Sequence, residues 1–348
     1  MRLAIRVDAS AAIGTGHLVR CLTLAACARD RGHEVVVASA DPASAIADIA
    51  ASADLPLLAL PPLAPGEAGQ AQDADAFRRA TGGADIILVD HYGLDATWEA
   101  AVGGSMAVID DLADRPHDCD LLIDQNPYLN GAARYDGRVP ARCERLTGPR
   151  YALLRDEFIA AAAHVQPRPG VVERLLVFYG GIDASGETLI ALEALGRLGD
   201  RAPATDVVVG AANPHLEAVR RACTADPRVT LHVQTSRMAE LTAAADLALG
   251  AGGSASLERC RLALPALVTI TADNQRELSA DLQAMGAHRI LGDAGAVDAA
   301  GVVRALQSCF NDPEAVGRMS RDAGRVFPAD GPMGPTAVMD RLEQVAGR

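Results

Sequence analysis

Short apolar runs, each the length of one strand, alternate with helically periodic stretches along nearly the whole chain. Runs without a polar face must be buried on both sides, and the intervening helices supply the cover. That pattern predicts parallel α/β architecture. In the first half the expected strands are 3–7, 34–39, 55–60, 86–90, 106–110 and 121–124. Helices are expected at 18–31, 43–53, 71–81 and 96–102, with an exposed loop over 61–69. A second series runs through strands 175–178, 206–209, 229–233, 247–249 and 266–270. Its helices are expected at 187–198, 214–223, 238–244 and 255–262, with three more at 302–310, 314–326 and 336–345. The 348 residues exceed one ordinary core, and 160–173, with Pro167, Pro169 and Gly170, reads as a hinge. The expected domains are 1–163 and 170–330, two Rossmann-like parallel-sheet units facing each other across a cleft. Residues 331–348 form a terminal helix expected to pack back on the first domain.

Composition narrows the chemistry. The net charge of −13 argues against a nucleic acid or an anionic membrane as partner. All 32 basic side chains other than histidine are arginine, so Schiff-base chemistry and a P-loop lysine are excluded. The seven cysteines show no CxxC spacing, which suggests neither a disulfide framework nor a zinc knuckle. Cys21 and Cys27 read as small buried hydrophobes on a helix. No signal peptide or membrane-spanning run is visible, so a cytoplasmic monomer is expected.

The N-terminal stretch Ile13-Gly14-Thr15-Gly16-His17 joins the first strand to the first helix. Glycines permit a tight turn and close approach to a ligand, and the helix start favours a negative charge. A first-turn histidine feels the same pole, which disfavours imidazolium and leaves the ring able to act as a base. In doubly wound sheets ligands bind beyond the carboxyl ends of the strands. Those ends carry Asp8, Asp90-His91-Tyr92-Gly93, Asp110-Asp111 and Asp124-Gln125-Asn126. A strand-end aspartate is equally a helix cap or turn former, but four on one rim point to a site. Asp90, His91, Asp110, Asp111 and His117 lack a metal-binding spacing, and no metal or other cofactor is expected. His33 and His117 read as solvated. In the second half Gly180-Gly181 and the loop Gly250-Ala251-Gly252-Gly253-Ser254-Ala255-Ser256 follow strands and enter helices. Their backbone N–H groups and two serine hydroxyls suit a diphosphate, and Glu258 a ribose diol.

These motifs together resemble the UDP-sugar hydrolases of pseudaminic acid biosynthesis. The resemblance rests on Ile5–Ser10 and Ile13–His17 with Arg20-Cys21-Leu22, on Asp90-His91-Tyr92-Gly93, Asp110-Asp111 and Asn126, and on the segments 151–158, 180–183 and 250–258. It implies a GT-B fold and hydrolysis of UDP-2,4-diacetamido-2,4,6-trideoxy-β-L-altropyranose to UDP and the free sugar. It also implies His17 as the base and a nucleotide site on the Gly252–Glu258 loop. The sugar side is then expected to include Asp8, Gly14, Gly16, Tyr92 and Asn126, with Asp8 or a backbone carbonyl orienting the His17 ring. Gly180, Gly181, Gly252, Gly253, Ser254, Ser256 and Glu258 are the expected UDP contacts. The rivals are a GT-B glycosyltransferase, a hydrolysing UDP-sugar 2-epimerase and a nucleotide-sugar-binding protein without turnover. A nicotinamide dehydrogenase fits less well, because the second strand ends in Val37-Ala38-Ser39 without an acid for the ribose.

Overall fold

A computed structural model describes residues 1–8, 16–40 and 55–347. Gly14 and the helix expected at 43–53 lie outside these residues. The chain divides into two units, 1–155 with 330–348 and 156–329.

The first unit runs β1 (Arg2–Val7), α1 (Gly16–Asp30), β2 (Glu34–Ser39), β3 (Leu57–Ala59), α2 (Gly66–Thr81), β4 (Ile86–Asp90), α3 (Ala96–Val102), β5 (Met106–Ile109), β6 (Leu121–Asp124) and β7 (Glu144–Thr147). Its seven strands are ordered β3-β2-β1-β4-β5-β6-β7, and every pair is parallel. The order reverses between β1 and β4, so the carboxyl ends of these two strands flank the natural ligand crevice. One face of the sheet is covered by α2 and α3, with Phe77 and Trp98 packed edge-on at 5.4 Å. Helix α2 begins at Gly66, inside the stretch expected to be loop, and stops at Gly82, whose φ of 67° only glycine adopts freely. Strand β7 was not foreseen, because Glu-Arg-Leu-Thr is too short and polar to stand out; it pairs as the sheet edge.

The second unit runs α4 (Asp156–Ala162), β8 (Arg174–Phe178), α5 (Glu187–Leu198), β9 (Ala204–Val209), α6 (Leu216–Thr224), β10 (Val229–Val233), α7 (Met238–Ala244), β11 (Leu247–Ala251), α8 (Ala255–Arg261), β12 (Ala266–Ile270), α9 (Arg276–Ala284), β13 (His288–Asp293), α10 (Ala299–Asn311) and α11 (Pro313–Gly324). The parallel order β10-β9-β8-β11-β12-β13 repeats the first unit's topology and puts the switch point between β8 and β11. The 160–173 stretch is built into this unit. The Arg168 guanidinium donates to Ala245 O, Thr242 O, Ala243 O and Leu262 O, closing the carbonyl ends of α7 and α8. Burial pushes Arg168 down to about 10. Gly170 has a φ of 107°, and a Cβ there would lie 1.7 Å from Pro313 O. Packing, not composition, therefore moves the boundary to Arg155.

The last helix, α12 (Gly334–Ala346), lies in the first unit. Val338, Met339, Leu342 and Val345 join Leu18, Leu22 and Leu24 of α1 in one core. Arg31 pairs with Asp340 at 2.8 Å and His33 Nε2 meets Glu343 at 2.8 Å, so His33 is a clasp on α12 and not a solvated side chain. Leu342 is fully buried. Leu342→Ala should destabilise the first unit by about 2–5 kcal/mol. The chain's single tryptophan, Trp98, is buried in that unit and reports its urea transition. An unmoved midpoint would mean that α12 adds nothing to the core.

Candidate active site

On α1, His17, Arg20 and Cys21 stand at i, i+3 and i+4, which puts them on one face. That face meets Asp90, the last residue of β4. His17 Nδ1 is 2.5 Å from Asp90 Oδ1. Arg20 donates Nε to Oδ2 at 2.6 Å and Nη2 to Oδ1 at 2.7 Å, and the Cys21 thiol reaches Oδ2 at 3.5 Å. Arg20 Nη1 continues to Asp111 Oδ2 at 2.8 Å, and the Tyr92 hydroxyl donates to Asp111 Oδ1 at 2.9 Å. Tyr92 also packs edge-on against the His17 ring, with centroids 4.4 Å apart.

Burial pushes Asp90 up, but the Arg20 and His17 charges and bonds outweigh it and hold the carboxyl well below the usual range. Asp111 is likewise lowered despite burial, mainly by Arg20. An ionised Asp90 accepts the Nδ1 proton and fixes one tautomer, with the Nε2 lone pair pointing away from the carboxylate. Among the described residues Nε2 has no hydrogen-bond partner. A histidine held in this way can take a proton from water or a hydroxyl, and the carboxylate stabilises the imidazolium that forms.

Asp8 has a different role from the one expected. Its Oδ1 accepts from Arg6 Nη1, Ser39 Oγ and Ala40 N, and its Oδ2 from Arg6 Nη2 and His91 Nε2. Gly93 N donates to His91 Nδ1, which commits Nε2 to Asp8. Arg6 is fully buried and also pairs with Asp73, which accepts from Trp98 Nε1. Asp8 thus anchors the end of β1 and has no oxygen to spare for a sugar or for His17. The ring is oriented by Asp90 instead. Burial raises Asp8, but the His91 and Arg6 bonds hold it far below the usual carboxylate range.

Asn126 is buried, its amide 3.3 Å from Tyr128 Oη, and the Tyr128 hydroxyl donates to Asp111 O. The Arg134 guanidinium lies 3.5 Å from the Tyr128 ring centre and pairs with Asp124 at 2.7 Å. Burial and the nearby Asp111 push Asp124 up to about 7 in spite of Arg134 and Tyr135. Gly16 opens α1 beside His17. His117 is buried, with Nδ1 2.7 Å from Glu99, and is not solvated. Among the described residues no three His, Cys, Asp or Glu side chains are placed to hold a metal.

The second unit's glycine loops also sit at its switch point. Gly180 has a φ of 97°. Gly210 N donates to Gly181 O at 2.9 Å, an approach that a Cβ on Gly210 would block. Gly252 N donates to Gln275 Oε1, and a Cβ at Gly252 would strike Ser279 Oγ at 2.2 Å. Ser256 is not presented to a ligand: it is buried and accepts from Arg259 Nη2. Gly253 and Ser254 are the outward members of the loop, and Glu258 lies half-buried in the first turn of α8. Asp183 accepts from Glu187 N and Thr188 N and so caps α5.

The solved structure of the spinosyn rhamnosyltransferase SpnG complexed with thymidine diphosphate superposes at a TM-score of 0.66, with 16% identity over 99% of this chain and all of that one. The chain has the GT-B fold. In sequence it is 26% identical over 164 residues to the UDP-2,4-diacetamido-2,4,6-trideoxy-β-L-altropyranose hydrolase of Campylobacter jejuni, 45% of this chain and 56% of that protein. It is 32% identical over 146 residues to the spore coat polysaccharide biosynthesis protein SpsG of Bacillus subtilis, 42% of this chain and 43% of that protein. The chain spans about half the length of the curated relatives it matches. No protein-family model matches. Among the described residues no helix is long and apolar enough to cross a membrane.

Asp8 and Asp90 both titrate lower in the folded state than the roughly 3.9 of an unfolded aspartate. Their stabilisation is therefore complete above that value and drains away as pH falls below about 4. Asp90→Asn removes one carboxylate from the buried Arg20 and should cost up to about 3–5 kcal/mol near neutrality. The gap to wild type should narrow towards pH 3. Urea titrations at both pH values, followed by Trp98 fluorescence, test this; a gap independent of pH would remove Asp90 as the ionised centre.

Proposed function

We propose that the chain is a nucleotide-sugar hydrolase that releases UDP and free 2,4-diacetamido-2,4,6-trideoxy-L-altrose from UDP-2,4-diacetamido-2,4,6-trideoxy-β-L-altropyranose. The observation that carries this reading is His17, tied through Nδ1 to Asp90, with no partner on Nε2 among the described residues. The likeness to the Campylobacter hydrolase supports the substrate class. In the proposed step a water gives its proton to His17 Nε2 as its oxygen bonds to the anomeric carbon. The bond from that carbon to the diphosphate oxygen breaks, and UDP leaves with the electron pair. UDP is already a good leaving group, so no second carboxylic acid has to protonate it, and attack from the opposite face inverts the centre. Tyr92, against the ring edge, bounds the water's position, and Asn126 contacts an acetamido group. The second unit holds UDP through Gly180, Gly181, Gly252, Gly253, Ser254 and Glu258.

A positioned base contributes about 10²–10⁴-fold. His17→Ala or His17→Leu should therefore lose turnover by that order while UDP binding by calorimetry is kept. Near wild-type hydrolysis in either variant would overturn the assignment. Glu258→Ala should raise KM and weaken inhibition by UDP, and unchanged values for both would move the nucleotide elsewhere.

The second reading is a glycosyltransferase in which His17 activates an acceptor hydroxyl; the likeness to the rhamnosyltransferase favours it. Proton NMR of the UDP-sugar with protein and no acceptor separates the two. Loss of the sugar-nucleotide anomeric signal with configuration at C2 retained supports hydrolysis, whereas consumption only when an acceptor is added supports transfer.

A further inference from the structure

The sulfurs of Cys119 and Cys143 lie 3.5 Å apart, twenty-four positions distant in sequence. Cys119 is fully buried just before β6, and Cys143 is half-buried just before β7. These strands are parallel neighbours with Leu121 opposite Glu144, so both thiols sit at the entry end of one strand pair. The same crossing is already strapped twice. Glu144 N donates to Asp120 O at 2.9 Å, and the Arg142 side chain reaches Asp118 at 2.5 Å and Asp120 at 3.0 Å. Between the cysteines runs the segment that carries Asp124, Asn126, Tyr128, Arg134 and Tyr135.

We propose that Cys119 and Cys143 are a peroxide-oxidisable thiol pair whose disulfide closes the base of the segment forming this wall of the site. A disulfide needs sulfurs about 2.05 Å apart, so they must approach by roughly 1.5 Å between two strand starts whose backbones are already held together. Cys143 is the accessible partner. The two sulfurs share one hydrogen bond, and the nearby Arg145 and Arg142 favour the Cys143 thiolate against burial and Asp120, while the buried Cys119 stays a thiol. The Cys143 thiolate attacks one oxygen of hydrogen peroxide, the O–O bond breaks, and hydroxide leaves a sulfenic acid. The Cys119 sulfur then attacks the sulfenic sulfur. Its own proton and the departing hydroxyl leave as water, so two thiols are oxidised while one peroxide is reduced to two waters. The pairing is independent of the nucleotide-sugar reading, since it lies at the opposite ends of the strands from His17 and Asp90.

The test treats the full chain with hydrogen peroxide at one equivalent and then measures intact mass, thiol titre in denaturant and a non-reducing peptide map. The expected result is a mass lower by about 2 Da, two fewer titratable thiols and a peptide linking positions 119 and 143. Closing a loop of this length should raise the melting temperature of the first unit by roughly 5–10 °C, reversibly with dithiothreitol. Cys143→Ser and Cys119→Ala, each checked for native circular dichroism, should show neither the link nor the shift. Oxygen added to Cys143 without a link, unchanged titre, or a link between other cysteines would each overturn the pairing.

Discussion

The site face of the first unit depends on keeping Asp90 ionised while it is buried. A lone carboxylate in such a place is costly, and several kilocalories per mole must be recovered from well-placed partners. Helix α1 supplies them from a single face: a histidine N–H, two guanidinium N–H groups and a thiol. Arg20 is shared onward with Asp111, which in turn accepts from Tyr92. Each member of this chain bonds to the next, so it behaves as one network and not as independent pairs. The order of the strands explains its location. β4 borders β1 where the strand order reverses, so the charged cluster lies at the switch point, where doubly wound sheets bind their ligands.

The second unit repeats that topology with different chemistry. Its buried arginines are held by neutral oxygens: Arg168 by the carbonyl ends of α7 and α8, Arg259 by Ala251 O and Ser256 Oγ. Burial lowers both guanidiniums, Arg168 to about 10. At its switch point the backbone is drawn in close, with glycines at 210 and 252 where a Cβ would collide. One unit therefore places a histidine among carboxylates, the other a glycine-lined loop over a buried cation.

The sequence pattern revealed the fold because the two periods, 2 and 3.6, are set by what the core demands of each element. It failed where an element is short or polar. Strand β7, Glu-Arg-Leu-Thr, is held by pairing at a sheet edge, and β13, His-Arg-Ile-Leu-Gly-Asp, is only partly buried. At the site, the strand-end aspartates and His17 were visible, but their partners were not. Asp90 lies 73 positions from His17, and nothing local announces the bond. Two hints were present. Arg6 and Asp8 alternate onto the same face of β1, which forecasts their pairing and removes Asp8 from the sugar side. His17, Arg20 and Cys21 share a helical face with no apolar reason for an arginine at its centre, which calls for a buried acid.

His17 is fixed to Asp90 only as firmly as α1 is fixed to the sheet. Leu18, Leu22 and Leu24 anchor the helix, and these residues share their core with Val338, Met339, Leu342 and Val345. Helix α1 thus lies between β1 and β2 on one side and α12 on the other, with Arg31 and His33 clasping α12 at its far end. A shift of α1 by more than about an ångström would stretch the His17–Asp90 contact beyond hydrogen-bonding distance. The placement of His17 therefore depends on residues more than three hundred positions away in sequence. The return of the chain's last helix to the first unit is a condition of the site, not an appendage to the fold.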